Sequence, residues 1–325
     1  MLAMTTLGST NRPVSAIGLG LAALGRPGYI NLGHATDLGH DYDPDAMQRH
    51  AHAVLDAAWS LGVRYFDAAR SYGRGEEFLA DWLRLRQPPE GTCTVGSKWG
   101  YTYTAGWQVQ ATHHEVKDHT LPVLRRQFAE SRSLLGTNLH LYQIHSATLA
   151  SGVLTRPDVL RELAAIQAQG IAIGLSLTGP EQSETLARAL EVRIDDRPLF
   201  DVVQATWNLL EPSVGPRLAE AKQHGLGVIV KEALANGRLT DRNPNTDQLR
   251  ILADEAKRLN ASIDAVALAT VLAQPWVDVV LSGAATVEQL RSNLQAATIQ
   301  NRIDPATLAE TPSLYWSRRG ELAWN

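Results

Sequence analysis

Residues 63–98 read VRYFDAARSYGRGEEFLADWLRLRQPPEGTCTVGSK, and the rest of the chain is best read outward from them. RYFDAA (64–69) is a strand-forming run with Asp67 at its end. A turn holding Ser71, Tyr72 and Gly73 leads into a helix starting near Glu76. QPPEG then breaks the chain, and CTVGSK (93–98) is a second short strand ending on Lys98. An aspartate, a tyrosine and a lysine thus stand at or just past the C-terminal ends of two consecutive strands. In a barrel of parallel strands, chemistry is built on that face. A phenol with an ordinary pKa of about 10 is a poor proton donor at neutral pH. A buried ammonium beside it favours the phenolate, and a buried carboxylate keeps that ammonium charged and in place. Tyr72 so tuned would serve as general acid to an alkoxide forming on a carbonyl. Taken alone, the three residues fit equally well a helix-capping Asp, a turn Tyr and a solvated Lys.

A fourth residue shifts that balance. LHLYQIH (139–145) is a further apolar strand, and it ends on His145. A lone His there is more often a satisfied core or surface residue. Four polar residues of these types, each at a strand end and in this order, are much harder to explain as coincidence. The segments GVRYFDAARSYGRGEEFL, VGSKWG, LYQIHSA, IGLSL, VVQATWNLLE, VIVKEALANGRLT and VLSGAATVEQLRSNL run from residue 62 to residue 294, behind a glycine-rich AIGLGLAALG. Together they resemble the aldo-keto reductase superfamily, nearest to its sugar and aldose dehydrogenase-like branch. The resemblance implies one α/β domain over 1–325, a single (β/α)8 TIM barrel. It also implies NAD(P)(H)-dependent hydride transfer between an aldehyde or ketone and its alcohol, or between a sugar hemiacetal and its lactone. Tyr72 would be the general acid/base, Lys98 and Asp67 would tune it, and His145 would orient the carbonyl.

The composition is compatible with that reading. Hydrophobic residues make up 44% and charged residues 20% of 325, ordinary values for a chain with a large core. The net charge is -4 with no basic cluster, which argues against nucleic acid or an anionic membrane as partner; the small carbonyl or sugar substrate is what the resemblance implies. Cys93 is the single cysteine, so an internal disulfide is ruled out. His113, His114 and His119 resemble metal ligands by composition but lack a carboxylate or cysteine framework, so no metal is expected and a solvated helix start is the reading. The N-terminus lacks a signal-peptide pattern and no apolar run approaches membrane length, which makes the cytoplasm the expected location. Nothing in the sequence specifies an oligomer.

In chain order, residues 5–25 suggest an entry hairpin and a first strand, SAIGLGLAAL, where Gly18 and Gly20 would let backbone approach a ligand. RPGYINLGHATDLGHDYDPDA (26–46) is either disordered or a loop ordered over a site, with Tyr29, Ile30 and Asn31 as candidate contacts. A helix over 46–61 would bury Met47, His50, Ala51, Val54, Leu55 and Ala58. WGYTYTAGWQVQATHHEVKDH (99–119) is either a substrate wall of Trp99, Tyr101, Tyr103 and Trp107 or an exposed loop packed on itself. In reductases of this kind the residue after the catalytic Lys faces the substrate, so Trp99 leads that set. Helices at 119–135, 157–169, 181–190, 247–259 and 262–274 alternate with buried strands IAIGLSL (171–177), LFDVVQATWN (199–208), GVIVKE (227–232) and VDVVLSGA (277–284). The stretch 299–325, with Tyr315, Trp316 and Trp324, reads as a tail over the barrel mouth.

No GxGxxG follows a strand and opens a helix, so a Rossmann site is unsupported. In a barrel the phosphate site lies in the loops after strands seven and eight. ALANGRLT (233–240), with Leu234, Gly237 and Leu239, and SGAATVEQLRSN (282–293), with Gly283, fall there. By the resemblance Ser176 and Gln204 would hold the nicotinamide carboxamide, and Gln289 and Asn293 would lie at the adenine. Three departures stand out. Leu177 replaces the usual Asn. Lys231 replaces the aromatic ring that stacks on nicotinamide, and Glu232 follows it, a carboxylate that would repel a pyrophosphate unless Arg238 or Arg242 pairs it. GAATVEQ also lacks the Lys or Arg that clasps a 2′-phosphate. Family frequency favours NADP(H) over NAD(H), while the missing clasp argues for modest discrimination. The competing readings are a nucleotide-binding regulatory subunit and a lyase or cyclase that reuses the four residues without net redox. Consumption or production of NAD(P)H separates the first reading from both.

Overall fold

In the computed structural model, which describes residues 2–300 and 303–325, the apolar runs pair in chain order as eight parallel strands closing into a barrel. They are β1 (Ile17–Gly20), β2 (Tyr65–Asp67), β3 (Thr94–Trp99), β4 (Leu141–Ala147), β5 (Ala172–Leu177), β6 (Val202–Thr206), β7 (Gly227–Lys231) and β8 (Val279–Ser282). The register sets Gly20 beside Asp67, Asp67 beside Gly96, and Lys98 beside Gln143. Strand ends carrying polar side chains are thereby gathered at one rim. An antiparallel hairpin, Met4–Thr6 with Pro13–Ser15, closes the opposite end. Its Leu7 and Val14 pack under Tyr65, Leu141, Val202, Ile229 and Val279.

Tyr65 fills the barrel axis just below the rim. A Cβ on Gly96 would lie 2.6 Å from its hydroxyl oxygen, and one on Gly18 would lie 2.8 Å from its ring. Gly18 therefore makes room for a core tyrosine rather than for a ligand, contrary to the sequence expectation, whereas Gly20 does line the cavity above.

The helical layer comprises α1 (Pro44–Ser60), α2 (Gly75–Arg86), α3 (Leu121–Leu135), α4 (Pro157–Gln167), α5 (Gln182–Leu190), α6 (Gly215–Gln223), α7 (Thr246–Leu259), α8 (Ile263–Leu272), α9 (Val287–Leu294) and α10 (Pro312–Gly320). Helix α1 begins at a proline and is capped by the Asp43 carboxylate, which accepts from Ala46 N–H at 2.9 Å. It buries Met47, Ala51, Val54, Leu55 and Ala58, as the 3.6-residue period predicts, but His50 stays half-buried. Helix α8 is apolar all round because it is packed against α7, α9 and β8.

Two stretches without sequence periodicity are ordered. Residues 101–103 and 115–117 form an antiparallel hairpin after β3. Within 26–46 a single helical turn, His34–Asp37, is tied down by Arg242, which binds Asp37 and the Leu32 carbonyl. The final residues return across the rim. Tyr29 N–H donates to the Asn325 carbonyl at 3.1 Å, and Asn325 N–H donates back to Tyr29 at 3.1 Å. Among the described residues no helix is long and apolar enough to cross a membrane.

Candidate active site

The site is built where β2, β3 and β4 end. Asp67 and Lys98 are each 1% exposed, and they form an ion pair across adjacent strands. Lys98 Nζ also donates to the Ala68 carbonyl at 2.8 Å. The other Asp67 oxygen accepts from Gln204 Nε2 at 2.9 Å and from the Tyr65 hydroxyl at 3.2 Å. Burial lowers the Lys98 pKa, against the pull of Asp67. Tyr72, from the turn after β2, lies with its ring centroid 4.9 Å from that ammonium.

His145 meets Tyr72 edge-on at 5.6 Å between ring centroids. It is placed by a bulge, since the pairing of β4 with β5 shifts between Ile144 and Ala147. Ser146 there has φ 54, a left-handed conformation few non-glycine residues adopt, and its N–H donates to Ser176 Oγ at 2.8 Å. Ser71 Oγ lies 3.4 Å from His145 Nδ1. Burial, then the charges of Lys98, Lys231 and Arg26, hold the His145 pKa well below its usual value, so the ring is neutral near pH 7.

The Tyr72 phenol behaves differently from the sequence expectation. Burial and then Asp67 push it well above 10, and the cation that opposes them is Arg26. The Lys98 charge is already compensated by Asp67 and the Ala68 carbonyl. Arg26 carried no sequence signal, because its partners come from distant loops. Its guanidinium lies 5.3 Å from the Tyr72 ring, 5.0 Å from Tyr29 and 4.8 Å from Trp324. It binds Glu115, 89 residues away, at 3.0 Å and the Ser71 carbonyl at 3.1 Å.

A cavity of about 630 Å³ opens from this corner. Asp67, Tyr72, His145, Arg26, Glu115, Tyr29 and Trp324 line one end, and Gly283, Gln289 and Asn293 line the other. Gln204, Lys231, Leu234 and Gly237 lie along the wall between. Lys98 is beneath the floor. Ser176 and Leu239 are buried behind the wall, Ser176 turned to the Ser146 N–H and Leu239 in the core under α7.

Of the segment 99–119 only Glu115 lines the cavity; Trp99, Tyr101, Tyr103 and Trp107, expected as a substrate wall, do not. Trp99 is 0% exposed in the core and meets His119 edge-on at 5.5 Å. Trp107 packs on Phe78 and donates its indole N–H to the Tyr42 carbonyl at 2.6 Å. Neither lines the cavity. Tyr101 is half-buried with its ring 5.0 Å from His145. His113 is exposed, but His114 and His119 depart from the solvated helix start read in the sequence. His119 is buried, with Nε2 2.9 Å from the His145 carbonyl, and α3 begins beyond it at Leu121. His114 stacks flat on Trp324 at 3.8 Å.

The pairing of Glu232 also differs from expectation. Arg319 of α10 grips it at 2.8 and 2.6 Å, while Arg238 binds Glu310 and Arg242 binds Asp37. Burial alone would raise the Glu232 pKa, but Arg319 and Lys231 overcome it and bring it to about 2. Lys231 Nζ donates to Thr206 Oγ1 at 2.7 Å.

A nicotinamide dinucleotide fits this lining. The Gln204 and Asn236 side-chain oxygens are buried without a hydrogen-bond partner, and both residues line the cavity. Gly283 is exposed to it, and a Cβ there would meet nothing nearer than 4.0 Å. Gln204 would take the carboxamide, and the backbone of Gly237 and Gly283 would face the phosphates.

The model of the Aldo/keto reductase family matches residues 16–311. A pyridoxal 4-dehydrogenase from Microbacterium luteolum is 26% identical over 335 residues, covering 89% of this chain and 91% of that protein. A D-threo-aldose 1-dehydrogenase from a Pseudomonas species is 27% identical over 258 residues, covering 74% of each. An aldo-keto reductase from Bacillus halodurans, solved in its holo form, superposes with a TM-score of 0.69 at 18% identity, covering 99% of this chain and 97% of that one, a likeness of fold.

Proposed function

The chain belongs to the aldo/keto reductase family and is an NAD(P)-dependent oxidoreductase, and from that premise we propose that it acts on a hydroxylated ring substrate. The reaction is a sugar hemiacetal to its lactone, or the corresponding aldehyde or ketone to alcohol interconversion, with Tyr72 as general acid/base. The observation that carries this reading is the substrate end of the cavity. There the phenol of Tyr72 and the imidazole of His145 share one corner with the rings of Tyr29 and Trp324 and with the Arg26–Glu115 pair. Aromatic faces take the C–H side of a ring, and the charged pair takes its hydroxyls. The names of the two relatives, an aldose and a pyridoxal dehydrogenase, support a hydroxyl-bearing aldehyde.

A bound nicotinamide dinucleotide supplies or accepts the hydride. Neutral His145 donates a hydrogen bond to the reacting oxygen. In reduction Tyr72 gives its proton to that oxygen, and in oxidation its phenolate removes one. Arg26 is the cation that stabilises the phenolate, while Asp67 holds Lys98 in place beneath the ring. At the adenosine end the cavity is lined by Asp241, Asp264 and Glu288, and Arg242 there is bound to Asp37. This supports modest discrimination between NADP(H) and NAD(H), in place of the strong NADP(H) preference of a clasped 2′-phosphate.

The test is a panel of aldoses, ring aldehydes and ketones assayed with each nucleotide by absorbance. Tyr72→Phe is expected to lower kcat by about 10²–10⁴-fold while the nucleotide dissociation constant stays put. Near wild-type turnover in that variant would remove Tyr72 from its role.

A further inference from the structure

Lys231 closes β7 with its ammonium on the cavity wall between the reacting corner and the loops that face the phosphates. The charges packed around it almost cancel. Lys98 on β3 is bound to Asp67, and Arg26 is bound to Glu115. Glu232 lies 3.6 Å from Lys231 but is gripped on both oxygens by Arg319 of α10. His145 on β4 is neutral, Thr206 on β6 accepts a hydrogen bond from the ammonium, and the Trp316 ring lies 6.0 Å away. One positive charge is left over at this end of the cavity, and it belongs to Lys231.

We infer that Lys231 makes the protein discriminate between the redox states of its nucleotide, holding the reduced form more tightly than the oxidised form. The inference rests on the proposed function, in which a nicotinamide ring lies within hydride reach of a carbon whose oxygen is held by Tyr72 and His145. With the remainder of the dinucleotide running toward Gly283 and Asn293, that ring lies along the Lys231 wall. The oxidised ring is cationic and the reduced ring is neutral. A part-buried ammonium repels the first and not the second, and once the nucleotide fills the cavity little water is left to screen the repulsion.

The coupling is reciprocal. Burial has already brought the Lys231 pKa down to about 8, and a second cation beside it drives the proton off. Oxidised nucleotide therefore binds more tightly as pH rises through this range, and the reduced form does not change. On the protein, the equilibrium is tilted toward substrate oxidation. The hydride leaves the hydroxyl-bearing carbon with both electrons of its C–H bond and would be taken up by the oxidised nicotinamide, and the hydroxyl proton passes to the Tyr72 phenolate.

The test is direct titration of both redox forms, by calorimetry and nucleotide fluorescence, on wild type, Lys231→Met and Lys231→Arg between about pH 6.5 and 9.5. In wild type the ratio of oxidised to reduced dissociation constants should fall by about tenfold or more across that range. Binding of the oxidised form near pH 7.5 should release protons. Lys231→Arg should keep the preference but lose its pH dependence, and Lys231→Met should lose both. A wild-type ratio that is flat with pH overturns the inference, and so does a preference that survives in Lys231→Met. Failure of wild type to bind either form overturns the proposed function itself, a result distinct from equal binding of the two.

Discussion

Tyr72 has two cations within reach, and they are not equivalent. Lys98 is neutralised in place by Asp67, whereas Arg26 faces the phenol from the cavity side and is the charge that lowers its pKa. Arg26→Met should raise the phenol further, because Glu115 would then face Tyr72 without its partner. The rising limb of kcat/KM for oxidation, where the phenol loses its proton, is expected to move to higher pH, with about a tenfold loss at neutral pH and an unchanged nucleotide constant. Arg26→Lys should restore part of both. An unshifted profile in Arg26→Met would leave Arg26 a packing residue among three rings. That Asp67, Tyr72, Lys98 and His145 come together was legible because each lies near the end of a strand or in the turn after one. Arg26 and Glu115 were not, since a pair drawn from two separate loops leaves no local pattern. Trp99 misled for a different reason. Successive side chains on a strand point to opposite faces, so with Lys98 turned into the barrel Trp99 must face the helical layer.

Among the elements, α10 carries more than its length suggests. Its Arg319 answers the buried Glu232 beside the cavity, so the tail is fastened by an ion pair as well as by the Asn325–Tyr29 backbone pairing. Removing Arg319 from this part-buried pair leaves Glu232 with only Lys231, 3.6 Å away, as a cation. Arg319→Ala should therefore cost about 1–3 kcal/mol of stability in urea unfolding, between an exposed and a fully buried pair, and Glu232→Gln in the same background should recover part of it. A loss below about 1 kcal/mol, as for an exposed pair, would show that water replaces the arginine. The hairpin of 101–103 with 115–117 and the turn at His34–Asp37 escaped the sequence reading because three or four residues are too few to show a period. They are ordered by what lies across the rim: Arg242, Glu115 bound to Arg26, and the returning tail.

On the scale of the whole molecule, burial holds four imidazoles uncharged. His34, His119 and His140 are each brought down to about 4, and His145 also lies well below 6.5. Unfolded, each takes a proton near 6.5, so the unfolded chain binds more protons than the folded one between about pH 6.5 and 4. Stability should therefore be full above pH 6.5 and fall with acidification at about 1.4 kcal/mol per pH unit for each ring. Unfolding midpoints followed by circular dichroism should begin to drop below pH 6.5. A midpoint flat down to pH 5 would mean that these rings are hydrated in the folded state. The eightfold alternation of strand and helix was plain in the sequence. Closure into a barrel was not, because apolar strand runs of this length suit an open parallel sheet as well, and only the resemblance supplied it. Of the eight tryptophans, Trp324 is the one that lines the cavity among the described residues, stacked on His114 and facing Arg26. The molecule thus has an optical reporter at its own entrance, an indole whose emission registers whether the rim is latched and whether a light-absorbing guest has arrived.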